Sequence, residues 1–384
     1  MSEDKQRICH LAVEFLMPPE LVNYWGPAYS DTESEPWKDL HYIRGMMRPV
    51  GKNSIPKNPE KFGINNNIHL YEIISLECNA ACLEKNGEIE LGMFMGLRDV
   101  IYTFSKFTVT DPRIFESIGN VSLEKERDYS LFPEPVGFQN ITRCIGDKLE
   151  YYPNKSYEKL WSSVQPKENT RLLFGEIIRL SSELFVWFHE LYHVWRYHFH
   201  ILKNIGESRL TMTETYESDS DKANLYARRC LEHDADRMSL VNLIENIKQE
   251  KGSFYSLIKL LGSEGGYRAL FYGMFCSLTV LMISQIISNS VIEKTHPSIF
   301  KRIIYLSEFI KHAYDQDDII QRAFSKAIHD WGTAYELFGW KSFVDGKVQI
   351  INPSDEEIIE YYNQVNQTLK PIDEFFSKEF TKPK

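Results

Sequence analysis

The sequence predicts an α+β fold that is predominantly helical, with a small antiparallel sheet and one helix carrying an H-E-x-x-H pentapeptide. Three observations predict it. Helical stretches free of proline run from Arg171 to Leu202 and from Lys222 to Gln249. The turn signal Asn86-Gly87 is followed by polar–apolar alternation at Glu88-Ile89-Glu90-Leu91, the pattern of a half-exposed strand. The pentapeptide His189-Glu190-Leu191-Tyr192-His193 falls in the second half of the first long helix. There the spacing of four puts both imidazoles on one face.

Taken in order, residues 1–65 are interrupted by Pro18-Pro19, Gly26-Pro27, Pro36, Pro49 and Pro56, which predicts short helices and turns. Ile68 to Lys85 reads as a helix on the spacing of Leu70, Ile73, Ile74 and Leu76, with Cys78 and Cys82 able to share a face. A further helix starts at Gly96-Leu97 and runs through Val100, Ile101, Phe104 and Phe107. Residues 111–170, with Pro112, Pro133, Pro135, Pro153 and Pro166, read as a loop-rich insertion. Glu207 to Asp221 is polar and reads as a loop between helices. Gly262 to Gly266 punctuates the chain before an uncharged helix. Helical patterns then recur at Ile303 to Tyr314, Ile319 to Tyr335 and Glu356 to Glu379. The expected organisation is a mixed N-terminal region (1–65), a core (66–310) and a helical C-terminal region (311–384).

Composition narrows the function classes. Of 384 residues, 43% are hydrophobic and 26% charged, which suits a folded protein with a large core. A net charge of -10 with no basic block argues against nucleic-acid binding. Six cysteines in a chain of this length make no disulfide framework and read as reduced thiols. The polar start, Met1 to Gln6, has no signal-peptide pattern, so a cytoplasmic location is expected. Ala269 to Ile292 carries no charge and is long enough to cross a bilayer. Ser277, Ser284 and Ser288 fall on one face of it, however, which suits a helix buried inside protein, so membrane association is not favoured.

The pentapeptide carries the chemistry. Chance would place it in only roughly 0.02 of chains of this composition. Its flanks, Val186-Trp187-Phe188 and Val194-Trp195, leave Glu190 as the one charged side chain nearby. His189 and His193 can ligate one metal ion, and Glu190 can act as the base that activates water. A catalytic Zn2+ requires a third protein ligand. The position of a third histidine in the H-E-x-x-H-x-x-G-x-x-H pattern is Phe199, which excludes that scheme. On a continuous helix His198 points roughly 140° away from His193, and His200 lies ~16 Å beyond His189. Both read as supporting or structural residues unless the helix breaks. Glu232 and Asp236 in Leu231-Glu232-His233-Asp234-Ala235-Asp236 are four apart and share a helix face. Glu232 is the expected third ligand, and Asp236 the carboxylate that orients a ligand imidazole.

HELYH followed by Val194-Trp195-Arg196-Tyr197-His198, and then E-x-D-A-D, resembles the zinc peptidases grouped as gluzincins. Within them the chain is most similar to the phage-exclusion protein Lit family, and more distantly to the membrane heat-shock and CAAX-processing peptidases. Tyr197 departs from their pattern, standing where H-E-x-x-H-x-x-x-G-H has glycine. Asn79-Ala80, Gly87 to Leu91 and Gly96-Leu97 resemble the family's N-A segment, edge strand and following helix. Thr295-His296-Pro297-Ser298 with Arg302 is similar to its H-P segment.

The resemblance implies a zincin-like core and a zinc endopeptidase acting on a protein or peptide substrate, in the manner of a regulated bacterial phage-defence protease. It also implies that the strand at Ile89 and Leu91 pairs with an extended substrate. His296 is either an oxyanion donor or a helix cap before Pro297, and Arg302 holds either a substrate carboxylate or a structural partner. The competing expectations are a non-catalytic metal-binding scaffold on a zincin-like fold, and a zinc peptidase anchored in a membrane by residues 269–292.

Overall fold

The Asn86-Gly87 dipeptide joins two strands whose register sets Lys85 opposite Glu88, as a two-residue hairpin connection does. They are β3 (Ala80–Lys85) and β4 (Glu88–Phe94). The computed structural model describes residues 28–30, 68–73, 78–85, 88–129, 164–198, 201–202, 211–213, 222–249, 252–287, 297–345 and 354–380. With β1 (Ala28–Ser30), β2 (Ile68–Ile73) and β5 (Thr211–Thr213) the hairpin forms a five-stranded sheet in the order β1-β2-β4-β3-β5. The β2–β4 pair is parallel and the others antiparallel, so the sheet is small but mixed rather than wholly antiparallel.

Residues 68–85 correct the expected helix: they contribute β2 and β3. Leu70, Leu91 and Cys82 stand in one row across β2, β4 and β3, all fully buried. Those cross-strand partners, distant in sequence from residue 70, select the strand. A short apolar run satisfies either period by itself. Cys78 and Cys82 therefore share no helix face; both are buried, as are Cys230 and Cys276.

The helices follow the sequence more closely. They are α1 (Met95–Thr110), α2 (Asn169–Trp195), α3 (Lys222–Lys248), α4 (Gly252–Lys259), α5 (Gly262–Ile287), α6 (Ile299–Ala313), α7 (Asp318–Leu337), α8 (Trp340–Asp345) and α9 (Asp355–Phe380). The Glu168 side chain caps α2 by accepting from the Arg171 amide at 2.8 Å. Arg171 itself, fully buried, donates to the carbonyls of Val109, Asp111, Ile114, Phe115 and Ile118. One guanidinium thus orders the start of the segment expected to be loop-rich. Residues 111–120 there are turns, and a 3-10 turn follows at Val121–Leu123. From Leu180 to Trp195 every residue of α2 is buried, so the helix is covered on all sides there.

The glycines at 262–266 do not interrupt the chain: α5 begins there, with Gly262 at φ +71 and Gly265 and Gly266 inside the helix. This helix is long and apolar enough to cross a membrane, and its most apolar window is wholly buried in the protein. It packs against α2 and α7. Gly273 is a point of close approach: a Cβ there would lie 2.8 Å from the Ile178 carbonyl oxygen and 2.8 Å from Ser181 Cβ. The crossing is tied by Ser182 Oγ donating to the Gly273 carbonyl (2.9 Å) and Ser277 Oγ donating to the Ser182 carbonyl (3.0 Å). Strands β3 and β4 and helices α1, α3 and α5 all pack against α2.

Gly273→Ala should therefore destabilise the protein by about 1–3 kcal/mol through overpacking of backbone against backbone. Gly332→Ala, in α7 with open space around the added carbon, should instead stabilise by about 0.5–1 kcal/mol. Thermal unfolding of the two variants checks this; equal midpoints would contradict the close crossing.

Candidate metal centre

His189 and His193 project from the last two turns of α2 toward Glu232 on α3. The two Nε2 atoms are 3.1 Å apart. Glu232 Oε2 lies 3.1 Å from His189 Nε2, and Oε1 lies 3.5 Å from His193 Nε2. His189 and His193 are each 1% exposed, as is Glu232, and Glu190 is 2% exposed. The structure thus brings the three sequence-predicted ligands together as a group able to hold a metal ion.

The protons behind these atoms make the fit specific. His189 Nδ1 is 2.8 Å from Asp236 Oδ1, so that nitrogen carries the hydrogen and donates it. Arg302 Nη2 also approaches Nδ1, but at 3.5 Å, too long to compete with the carboxylate. The Nε2 of a neutral His189 is then a bare lone pair aimed at Glu232 and His193. Two imidazole nitrogens and a carboxylate converging in a buried space repel one another unless a cation lies among them. A set of two imidazoles and one carboxylate, within reach of one ion and away from water, is a donor set that a divalent transition metal satisfies.

Asp236 stands behind the His189 imidazole, as the sequence spacing led one to expect. Burial alone would raise its carboxyl, but the Arg302 charge and hydrogen bonds outweigh this and hold it far below the usual carboxylate range. Arg302 Nε and Nη2 grip the two carboxylate oxygens at 2.7 Å each. That resolves the alternatives for Arg302: it is a partner of Asp236, at 4% exposure.

The chain after α2 departs from a continuous helix. Tyr197 has φ +57, the left-handed region, in the position that glycine holds in the H-x-x-x-G-H pattern. The helix ends at Trp195, and the reversal folds His198 back so that its Nδ1 meets His193 Nδ1 at 2.8 Å. His198 Nε2 lies 3.0 Å from Asp234 Oδ2. Asp234, fully buried, is gripped by Arg196 through Nε at 2.8 Å and Nη2 at 3.2 Å, and also by Arg237. Asp373 of α9 joins both guanidiniums, at 2.6 Å from Arg196 and 2.7 Å from Arg237. Burial pushes the His198 imidazole below its ordinary value despite the neighbouring Asp234. Burial would raise Asp234, but the two arginines and His198 hold it well down. The sequence allowed His198 a supporting or structural role but did not reveal its link to Asp234. Its one visible signal was the match of Tyr197-His198 to the G-H end of the pattern.

His233 belongs to neither arm. Its Nε2 is 2.6 Å from the Tyr361 hydroxyl, its ring packs on Tyr305, and burial drives its pKa down to about 3. His296 lies outside the described residues. The substrate strand needs correction. β4 lies inside the sheet, with Ile89 paired to Ile68 on one side and Glu84 on the other, and Leu91 paired to Leu70 and Cys82. Its backbone donors and acceptors are committed on both edges, so no extended substrate can add to it there.

Two expectations follow from this geometry. Asp236→Asn should weaken divalent-metal affinity about 10–100-fold, read by competition with a chromophoric chelator. At residue 197, glycine should be the better small replacement: Tyr197→Gly should exceed Tyr197→Ala in stability by about 1–2 kcal/mol, because alanine retains the left-handed penalty. An ordinary helical order, with alanine more stable, would contradict the turn.

No family model, no curated protein and no solved structure matches this chain.

Proposed function

We propose that this protein is a zinc-dependent endopeptidase that hydrolyses peptide bonds of a protein substrate. The observation that carries the reading is the convergence of His189, His193 and Glu232 beside Glu190 on the same turn of α2. A zinc ion held by these three residues supplies Lewis acidity toward water and the scissile carbonyl. The chain does the rest. Asp236, braced by Arg302, orients His189. Glu190 takes the proton of the attacking water and passes it to the leaving amine. The surround from Phe185 to Trp195 is buried and, apart from Glu190, uncharged, which strengthens each charge inside it.

The resemblance to the Lit family adds a setting, a cytoplasmic protease of bacterial phage defence that acts on a trigger. A zincin-like arrangement of the helix pair α2–α3 beside the sheet is part of the same proposal. One observation favours a second reading. Glu190 is 2% exposed and the two histidines 1%, so a closed metal centre that binds without turnover, as in a scaffold protein, accounts for the burial equally well. The burial of α5 within the protein weighs against a membrane anchor at that helix.

Zinc analysis together with cleavage of an unfolded casein-type substrate separates the two. The peptidase reading expects about one zinc per chain and activity lost to chelator. It also expects Glu190→Gln to lower kcat about 10²–10⁴-fold with zinc retained. Wild-type turnover by Glu190→Gln would sink the mechanism. Bound zinc with no cleavage under any condition would favour the scaffold.

A further inference from the structure

We infer that His198 is a positioning residue for the metal centre, with Asp234 behind it, fixing His193 in the Nδ1–H tautomer so that its Nε2 lone pair faces the ion. This rests on the metal-site reading above and extends it to residues outside the ligand set.

The protons can be followed from the carboxylate inward. Asp234 is an acceptor, held by two guanidiniums, so the 3.0 Å contact requires the hydrogen on His198 Nε2. The 2.8 Å Nδ1–Nδ1 contact between the two rings needs one hydrogen, and the metal-site reading puts it on His193, because a hydrogen given by His198 would leave His193 with its own on Nε2. With its hydrogen on Nδ1, His193 presents a bare Nε2, 3.1 Å from His189 Nε2 and 3.5 Å from Glu232 Oε1. The opposite assignment would aim an N–H of His193 into the cluster and leave no lone pair for a metal. His189 reaches the same state through one carboxylate, and His193 through an imidazole and a carboxylate in series. A ligand imidazole is ordinarily backed by a group that fixes its tautomer and orientation. The left-handed backbone at Tyr197 is what turns His198 into that place, and Arg196, Arg237 and Asp373 keep Asp234 from rotating away.

Nitrogen-15 NMR of the metal-free, full-length wild-type chain, labelled at histidine, reads the tautomers directly. The expected result is His193 as Nδ1–H and His198 as Nε2–H. His193 found as Nε2–H, or His198 found doubly protonated at neutral pH, overturns the inference without recourse to any variant. Zinc affinity supplies the second reading. His198→Phe keeps a ring of similar size but no acceptor, and should weaken zinc binding about 10–100-fold. His198→Asn restores an acceptor where Nδ1 stood and should bind zinc more tightly than His198→Phe. Equal affinity of His198→Phe and wild type overturns the positioning role. So does equal weakening of the Phe and Asn variants, because a purely structural role would not distinguish them. A wild-type chain with these tautomers that binds no zinc removes the metal reading while leaving the hydrogen-bond chain standing, so the two failures are told apart.

Discussion

Two imidazole nitrogens held 3.1 Å apart, with a carboxylate beside them and almost no solvent exposure, are the constraint to which the rest of this structure answers. Three electron-rich atoms do not gather in a low-dielectric interior on their own account. They stay because each ring is held from behind. His189 leans on Asp236, and Arg302 neutralises that carboxylate from α6. His193 leans on His198 and Asp234, neutralised by Arg196 and Arg237. The buried carboxylates of Asp236 and Asp234 are tolerable here because each is paired in well-formed geometry with guanidiniums.

The scaffold explains why the ligands can be held so closely. Precise placement of a site depends on the rigidity of the elements beneath it. α2 is buried throughout its second half and is pressed by α5 at a backbone-to-backbone crossing that only Gly273 allows. α3 completes the centre from one face with Glu232 and Asp236, while Asp234 serves the chain that folds back after α2. The C-terminal helix α9 is part of this arrangement through Asp373, whose side chain is 42% exposed while the Asp234 it supports is fully buried. A linked set of hydrogen bonds thus runs from the protein's exterior to the His193 imidazole.

The sequence alone determined the parts that depend on short spacing. A period of four on a helix placed His189 with His193 and Glu232 with Asp236, and both pairs came through folding as local geometry requires. Most helices and the Asn86-Gly87 hairpin were legible for the same reason. What only the tertiary structure decided were relations between distant segments. Leu70 could belong to a helix or a strand until Leu91 and Cys82 stood beside it, and the strand of Ile89 could be an edge until β2 and β3 took both its sides. Arg302 had no assigned partner until α6 met Asp236. His198 pointed away from His193 on any ideal helix, and a single left-handed residue, Tyr197, reversed it. Local periodicity is written in neighbouring residues. A backbone reversal at a tyrosine is imposed by packing from elsewhere, so it is decided only when the whole chain is folded.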